Sequence, residues 1–286
     1  LLLEATLAAI FLAPWTLLPL WRRPEPPRLA RLVLAWLLFR LMFLAGVVKL
    51  ASGDISWRDL SALTFHYETQ PLPTPLAWFV HQLPAASHRA ACAGMFALEL
   101  IVPFFLFAPR ALRHNAALLL AAFMAAVALT GNYTFFNFLA IALCFLSLDD
   151  ACWRGLMPRV LAARCHLIDD NLTVAPRCQR IAAIPFAIFA FAYTALQAVP
   201  VVVPRLGRPP GFSAVAGAIA PFRSLNNYGL FAVMTRPRPE LIFEGSDDGR
   251  EWRAYEFPAK PGNLARRSTW VAPHQPRLDW QLWFAA

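Results

Sequence analysis

Apolar positions fall in long, nearly unbroken blocks at roughly 1–20, 32–50, 90–108, 115–130, 135–148 and 181–203. Each is at or just under the ~20 residues that cross a bilayer core, so the pattern predicts about six membrane spans. Gly131 and Asn132 break the fourth block from the fifth and predict two short helices joined by a tight turn. After Pro204 the pattern changes to short runs at 228–234, 241–244 and 252–257, and the last two flank an Asp248-Gly249 hairpin signal. The predicted fold class is mainly α: a polytopic membrane helical bundle carrying a small β-rich, sandwich-like extracytoplasmic domain. The expected domains are 1–203, with an outer loop at 51–89, and 204–286.

Composition fits a lipid-facing chain, with 58% hydrophobic and 15% charged residues against about 25% charged in ordinary globular proteins. The net charge of +9 comes from 24 Arg and 2 Lys, and its distribution argues against nucleic acid as a partner. Arg22, Arg23, Arg28 and Arg31 fill one linker, Arg110 and Arg113 a second, and Arg154, Arg159, Arg164, Arg177 and Arg180 a third. These alternate with the less basic loops, as the positive-inside rule requires, so the 51–89 loop and the C-terminal region are expected outside the cytoplasm. The first block contains Glu4, lacks a cleavage pattern and opens without Met, which reads as a span in a fragment rather than a signal peptide.

Charges within spans need partners. Counting ~1.5 Å per residue from the ends of the apolar blocks brings Arg40 level with Glu99, and Lys49 level with Glu4, so two intramembrane ion pairs are expected in that pairing. Cys92 and Cys144 fall in spans, while Cys152, Cys165 and Cys178 fall in a cytoplasmic loop, without metal spacing to His166. Neither a metal nor a cofactor is expected.

The outer loop is dense in chemically distinct residues. Ser56 and Asp59 have capping-box spacing, so a helix is expected there, with Trp57, Leu60, Thr64 and Tyr67 on one face and Arg58 and His66 elsewhere. Such a helix would lie on the membrane surface. Pro71, Pro73 and Pro75 then predict a stiff extended strut that fixes His66, Tyr67, Glu68 and Gln70. His66 and Glu68 could converge as an acid–base pair, the basis of an alternative reading as an enzyme acting on a lipid or protein at the outer face. A hydrogen-bonding network that ties the loop to its surroundings is the competing use. At the C-terminus, Pro276, Arg277, Asp279 and Trp280 suit either a binding hot spot or a terminus folded back on its own domain. Asn132 and Asn171 fit the glycosylation pattern, but neither is expected to be modified.

Taken together, Trp57-Arg-Asp-Leu, His66-Tyr-Glu-Thr-Gln-Pro, Gly131-Asn-Tyr-Thr-Phe-Phe-Asn, Asp149-Asp150, Asn227-Tyr-Gly-Leu-Phe, Glu244-Gly-Ser-Asp-Asp-Gly with Trp252, and Pro273-His-Gln-Pro-Arg-Leu-Asp-Trp resemble the lipase maturation factor family across nearly the whole chain. The resemblance implies a multi-pass endoplasmic-reticulum protein, a non-enzymatic chaperone that helps secreted lipases reach an active fold and engages them through its lumenal C-terminal region. The Arg-rich, Lys-poor composition and short loops look bacterial, and in a bacterium the plasma membrane and periplasm take the corresponding places.

Overall fold

The computed structural model describes residues 1–15, 23–158 and 172–286, so the expectations for Arg22, Arg159, Arg164, Cys165, His166 and Asn171 lie outside the described residues. Among the described residues four helices are long and apolar enough to cross a membrane: α2 (Arg28–Ala51), α6 (Ala85–Leu100, continued by a 3₁₀ turn to Phe107), α7 (Arg110–Thr130) and α10 (Arg177–Val202). The first and fifth apolar blocks give shorter helices, α1 (Leu2–Leu12) and α8 (Phe136–Phe145), so of the six or so spans expected, four candidate spans stand among the described residues. Short helices among the described residues are α3 (Ile55–Arg58), α4 (Leu63–Thr69), α5 (Pro75–His81), α9 (Asp150–Leu156), α11 (Phe212–Ile219) and α12 (Arg277–Ala285).

α2 is the hub of the bundle. Its most apolar stretch is 67% buried, against 28% for each of the other three long helices, so α2 is surrounded by protein while the others leave most of their surface for lipid. α1, α6, α8 and α10 pack around it. The ends of these helices sort cleanly. Gln179 of α10 donates to the carbonyls of Phe11 and Ala13 at the end of α1, and Arg110 pairs with Asp149, so the arginine-bearing linkers gather at one end of the bundle. At that end, β1 (Arg23–Glu25) pairs in parallel with β2 (Leu172–Val174). The loop after Ala51 lies at the other end.

Both intramembrane ion pairs form, but with partners exchanged. Arg40 pairs with Glu4, and Lys49 bonds both carboxylate oxygens of Glu99 at 2.7 and 2.8 Å. Depth counting fails because it assumes straight, full-length helices. α1 ends at Leu12, which brings Glu4 level with the middle of α2. The 3₁₀ turn rises ~2.0 Å per residue and lifts Glu99 toward Gly46. There a Cβ on Gly46 would lie 3.1 Å from that of Glu99 and 2.7 Å from the Leu100 side chain, so any larger residue would have to push these side chains aside.

The sandwich expected after Pro204 is not formed. Among the described residues of this region the sheet is one antiparallel pair, β3 (Glu244–Gly245) with β4 (Arg253–Ala254), closed at the expected Asp248-Gly249 turn. Pro237, Pro239, Pro258 and Pro261 remove ladder donors on either side of it. The run at 228–234, expected as a strand, instead threads irregularly into the bundle. The Tyr228 hydroxyl donates to Glu4 at 2.7 Å, the Asn226 amide donates to Glu4 at 3.2 Å, and Arg40 donates to the Asn226 carbonyl at 3.0 Å. Non-helical backbone at this depth is tolerable because protein surrounds it and takes up its polar groups. Gly229 makes room for it, since a Cβ there would stand 2.8 Å from Val48.

Double-mutant cycles on thermal unfolding in detergent should show coupling for 4 with 40 and for 49 with 99, and none for 40 with 99 or 4 with 49. Glu4→Ala alone should cost about 3–5 kcal/mol by leaving Arg40 buried without its partner.

Candidate functional site

At the end opposite the arginine linkers, the outer loop, the α7–α8 turn and the C-terminal region interlock into a cap. The loop is built differently from a surface helix. Asp54 rather than Ser56 caps α3, accepting from the Ser56 amide at 2.9 Å, and Leu60 at φ 63° breaks the helix before α4. Trp57 is therefore carried inward, 2% exposed, under the Lys49 ammonium, and its indole donates to the Phe231 carbonyl at 3.1 Å. Asp54 also accepts from the Met234 amide at 2.7 Å. These two bonds fasten the threaded segment to the loop.

The proline strut is pinned onto the α7–α8 turn. Pro73 pairs with Gly131, Thr74 donates to the Leu129 carbonyl at 2.7 Å while capping α5, and the Asn132 amide donates to the Leu72 carbonyl at 3.0 Å. Behind the strut, Gln70 donates to the Thr130 carbonyl at 2.7 Å and accepts from the Tyr133 hydroxyl at 2.8 Å. Since that hydroxyl has spent its single proton, His66 Nε2, 3.2 Å away, must be the donor of the pair, which fixes the neutral Nε2–H tautomer. Burial, aided by the Lys49 charge, holds the imidazole pKa down to about 4, and burial pushes the Tyr133 phenol up.

The C-terminal region closes over this network by three clasps. Asn132 donates to the Thr269 carbonyl at 2.8 Å and accepts from the Val271 and Ala272 amides at 2.9 and 3.1 Å. This side chain, 2% exposed, is thereby engaged as a structural clamp. The Arg238 guanidinium binds the carbonyls of Glu68, Gln70 and Pro71, and Glu240 holds it at 2.7 Å while also binding Lys260 at 2.6 Å. Trp283 of α12 donates to the Thr69 carbonyl at 2.8 Å.

Beneath the cap lies a partly open chamber of about 920 Å³, lined by α2, α6 and α7 together with the outer loop, the α7–α8 turn, the 230–235 segment and α12. Its walls are mostly apolar, among them Leu41, Met42, Met95, Phe123 and Met124. Polar groups of His66, Gln70, Tyr133 and Asn137 lie toward the cap, and the Lys49–Glu99 pair sits in the wall. Phe231 and Thr134, both lining it, hold left-handed backbone at φ 56° and 57°, a strain that surrounding contacts must maintain.

The structure brings together Trp57, His66, Tyr67, Gln70 and Trp280, all of which line the chamber. Asp279 folds inward and accepts from the Ala259 and Lys260 amides at 2.8 and 2.7 Å, while Pro276 begins α12. Arg58, Asp59 and Arg277 stay on the surface, away from this assembly. His66 and Glu68 do not converge: Glu68 turns outward to His81 at 3.5 Å while His66 faces Tyr133, because residues two apart on α4 project to opposite sides of the helix. The acid–base pair thus lacks its geometry. Arg238, Trp283, Asn137 and the clamp role of Asn132 escape sequence reasoning. The visible signals are the Arg236-Pro-Arg-Pro-Glu run and the Asn132-Tyr-Thr pattern, which reads as a glycosylation site.

Long apolar helices around a capped chamber define a multi-pass membrane protein. Residues 1–155 match the family model for the lipase maturation factor transmembrane domain, and residues 224–286 match that for the lipase maturation factor C-terminal domain. The chain belongs to the lipase maturation factor family. It is 36% identical to lipase maturation factor 1 of Bos taurus and 34% identical to lipase maturation factor 2 of Gallus gallus, in each case over 100% of this chain and 53% of the relative. Lipase maturation factor 2 of Homo sapiens is 32% identical over 100% of the chain and 54% of its own length. The chain thus spans about half the length of the curated relatives it matches. No solved structure matches it.

Asn132→Ala would leave the Val271 and Ala272 amides without their acceptor, at about 1–3 kcal/mol for each buried donor. Hydrogen exchange should then rise over 265–286 and stay unchanged in α2. The His66 pKa predicts a second effect. As pH falls from 6.5 toward about 4, the unfolded chain takes up a proton that the folded imidazole refuses, so stability declines across that window and is unaffected above it. Thermal unfolding at pH 7 and 4.5 should show a smaller loss in His66→Gln than in the parent.

Proposed function

We propose that this protein is a membrane-embedded maturation factor that holds a secreted protein, a lipase by the names of its relatives, while that client completes its fold. The observation that carries this reading is a set of exposed aromatic side chains on the C-terminal region: Trp252, Tyr255 and Trp270 are 60%, 67% and 55% exposed, and Ile242 and Phe243 are exposed just before β3, where the Phe243 carbonyl accepts from the Tyr255 amide. Isolated exposed apolar residues are ordinary, but aromatics carried on an anchored scaffold are the material of binding hot spots. The anchors are the Asn132, Arg238 and Trp283 clasps, which keep these residues beside the membrane instead of on a free tether.

The arginine linkers support an orientation with the cap outside the cytoplasm. We assign it to the lumen of the endoplasmic reticulum in a eukaryote and to the periplasm, from the plasma membrane, in a bacterium. A division into a membrane part, 1–203, and a C-terminal part, 204–286, accords with the unmatched interval between the two family models. On this reading Arg277, exposed at the start of α12, adds to the client-facing side, while Asp279 and Trp280 hold the helix in place.

Replacing Trp252, Tyr255 and Trp270 together by Ser should lower co-purification of a secreted lipase client by on the order of 30-fold, the effect of losing one hot spot of about 2 kcal/mol. Secreted lipase activity should fall in parallel while the abundance of this protein is unchanged. Full lipase activity from cells carrying only the triple variant would refute the reading.

A further inference from the structure

The chamber under the cap has the build of a ligand site that client docking does not use. At about 920 Å³ it stands near the upper end of cavities that enclose small ligands. An apolar space of that size, left unfilled, would forfeit the dispersion contacts that close-packed interiors keep. Its lining runs along α6 from Ala91 to Glu99 and along α7 from Phe123 to Thr130, so the space extends inward from the cap between these two helices.

Leu41, Met42, Met95 and Phe123 supply apolar walls, whereas His66, Tyr133 and Asn137 stand nearer the cap. Among these, Asn137 is 2% exposed and its Oδ1 has no hydrogen-bond partner among the described residues. A buried carboxamide oxygen in that state calls for a donor from a ligand. The charged groups in the wall, Lys49 and Glu99, neutralise each other at 2.7 and 2.8 Å, so the chamber offers no free charge for a phosphate headgroup. The wall is also thin on one side. Ala91 and Gly94 of α6 and Ala126 of α7 line the chamber yet remain exposed, and a Cβ on Gly94 would meet nothing within 4 Å.

We propose that the chamber binds an uncharged, hydroxyl-bearing acyl lipid of the diacylglycerol type, admitted sideways between α6 and α7, with its hydroxyl donating to Asn137 Oδ1 and an acyl chain against Leu41, Met42 and Phe123. The orientation is that of a lipid in the capped leaflet, polar end toward the cap and tail toward the bilayer centre. The neutral state of His66 fits an uncharged headgroup. This assignment is independent of the client-docking surface.

The test uses the full chain in phosphatidylcholine vesicles that carry a trace of diacylglycerol with a diazirine in one acyl chain. After irradiation, adducts should concentrate on the peptides holding Met95 and Phe123–Met124. Unlabelled diacylglycerol should compete, and its O-methyl ether, which has no donor, should not. Asn137→Leu should weaken labelling about 3- to 10-fold, the span of one neutral hydrogen bond. Gly94→Trp should abolish it by filling the side opening, with thermal stability retained. Adducts confined to the lipid-facing surfaces of α6 and α7, equal competition by the O-methyl ether, or equal labelling of the chamber by a phosphatidylcholine probe would each overturn the proposal.

Discussion

An arginine near the middle of the most buried helix governs much of this architecture. Arg40 is 3% exposed, and a charge at that depth is tolerated only with its opposite and with donors and acceptors around it. Glu4 supplies the charge, but a carboxylate and a guanidinium have more lone pairs and protons than one pair can satisfy. Arg40 also donates to the Asn226 carbonyl, Glu4 also accepts from the Asn226 amide and the Tyr228 hydroxyl, and the Arg40 guanidinium, whose Nε has no hydrogen-bond partner among the described residues, lies 5.6 Å from the Tyr228 ring centre. The C-terminal chain therefore enters the bundle as the completing half of a buried polar site.

Once 226–234 is anchored there, the rest of the cap follows geometrically. The segment leaves the bundle past Val48 and delivers Phe231 to Trp57 and Met234 to Asp54. Phe231 packs against His66 and Tyr133 at 5.1 and 5.7 Å, edge to face, where the quadrupoles of the rings attract. The outer loop is thus held from below by the threaded segment and from above by α12. Two uses of one scaffold result: an outward aromatic surface and an inward chamber, separated by a layer of hydrogen bonds that neither needs to disturb.

The four long spans are legible in the sequence because lipid exposure leaves apolar blocks that nothing else explains. The charged residues inside them are legible too, as groups that must be partnered. What sequence cannot give is the partner's height, since α1 is short, α6 passes into a 3₁₀ turn, and Gly46 lets two helices approach closely. The C-terminal region misleads for a related reason. An apolar run such as 228–234 suits a sandwich strand or a segment buried among helices equally well, and periodicity does not separate them. His66, Gln70 and Trp280 stand out by residue type, but Arg238 and Asn137 act through backbone carbonyls and an unpaired oxygen, which carry no sequence signature.

The threading of 226–228 between spans also fixes an order of events during synthesis. Glu4 and Arg40 lie on adjacent helices and can meet as soon as α2 is made, while Tyr228 is separated from Glu4 by 224 positions and Asn226 from Arg40 by 186. Contacts so distant along the chain form late. Until then Glu4 lacks its bonds from Asn226 and Tyr228, and Arg40 lacks its acceptor at Asn226. The protein is in this sense a client of its own C-terminal region, unfinished until residues 226–228 have been made and have turned back into the membrane.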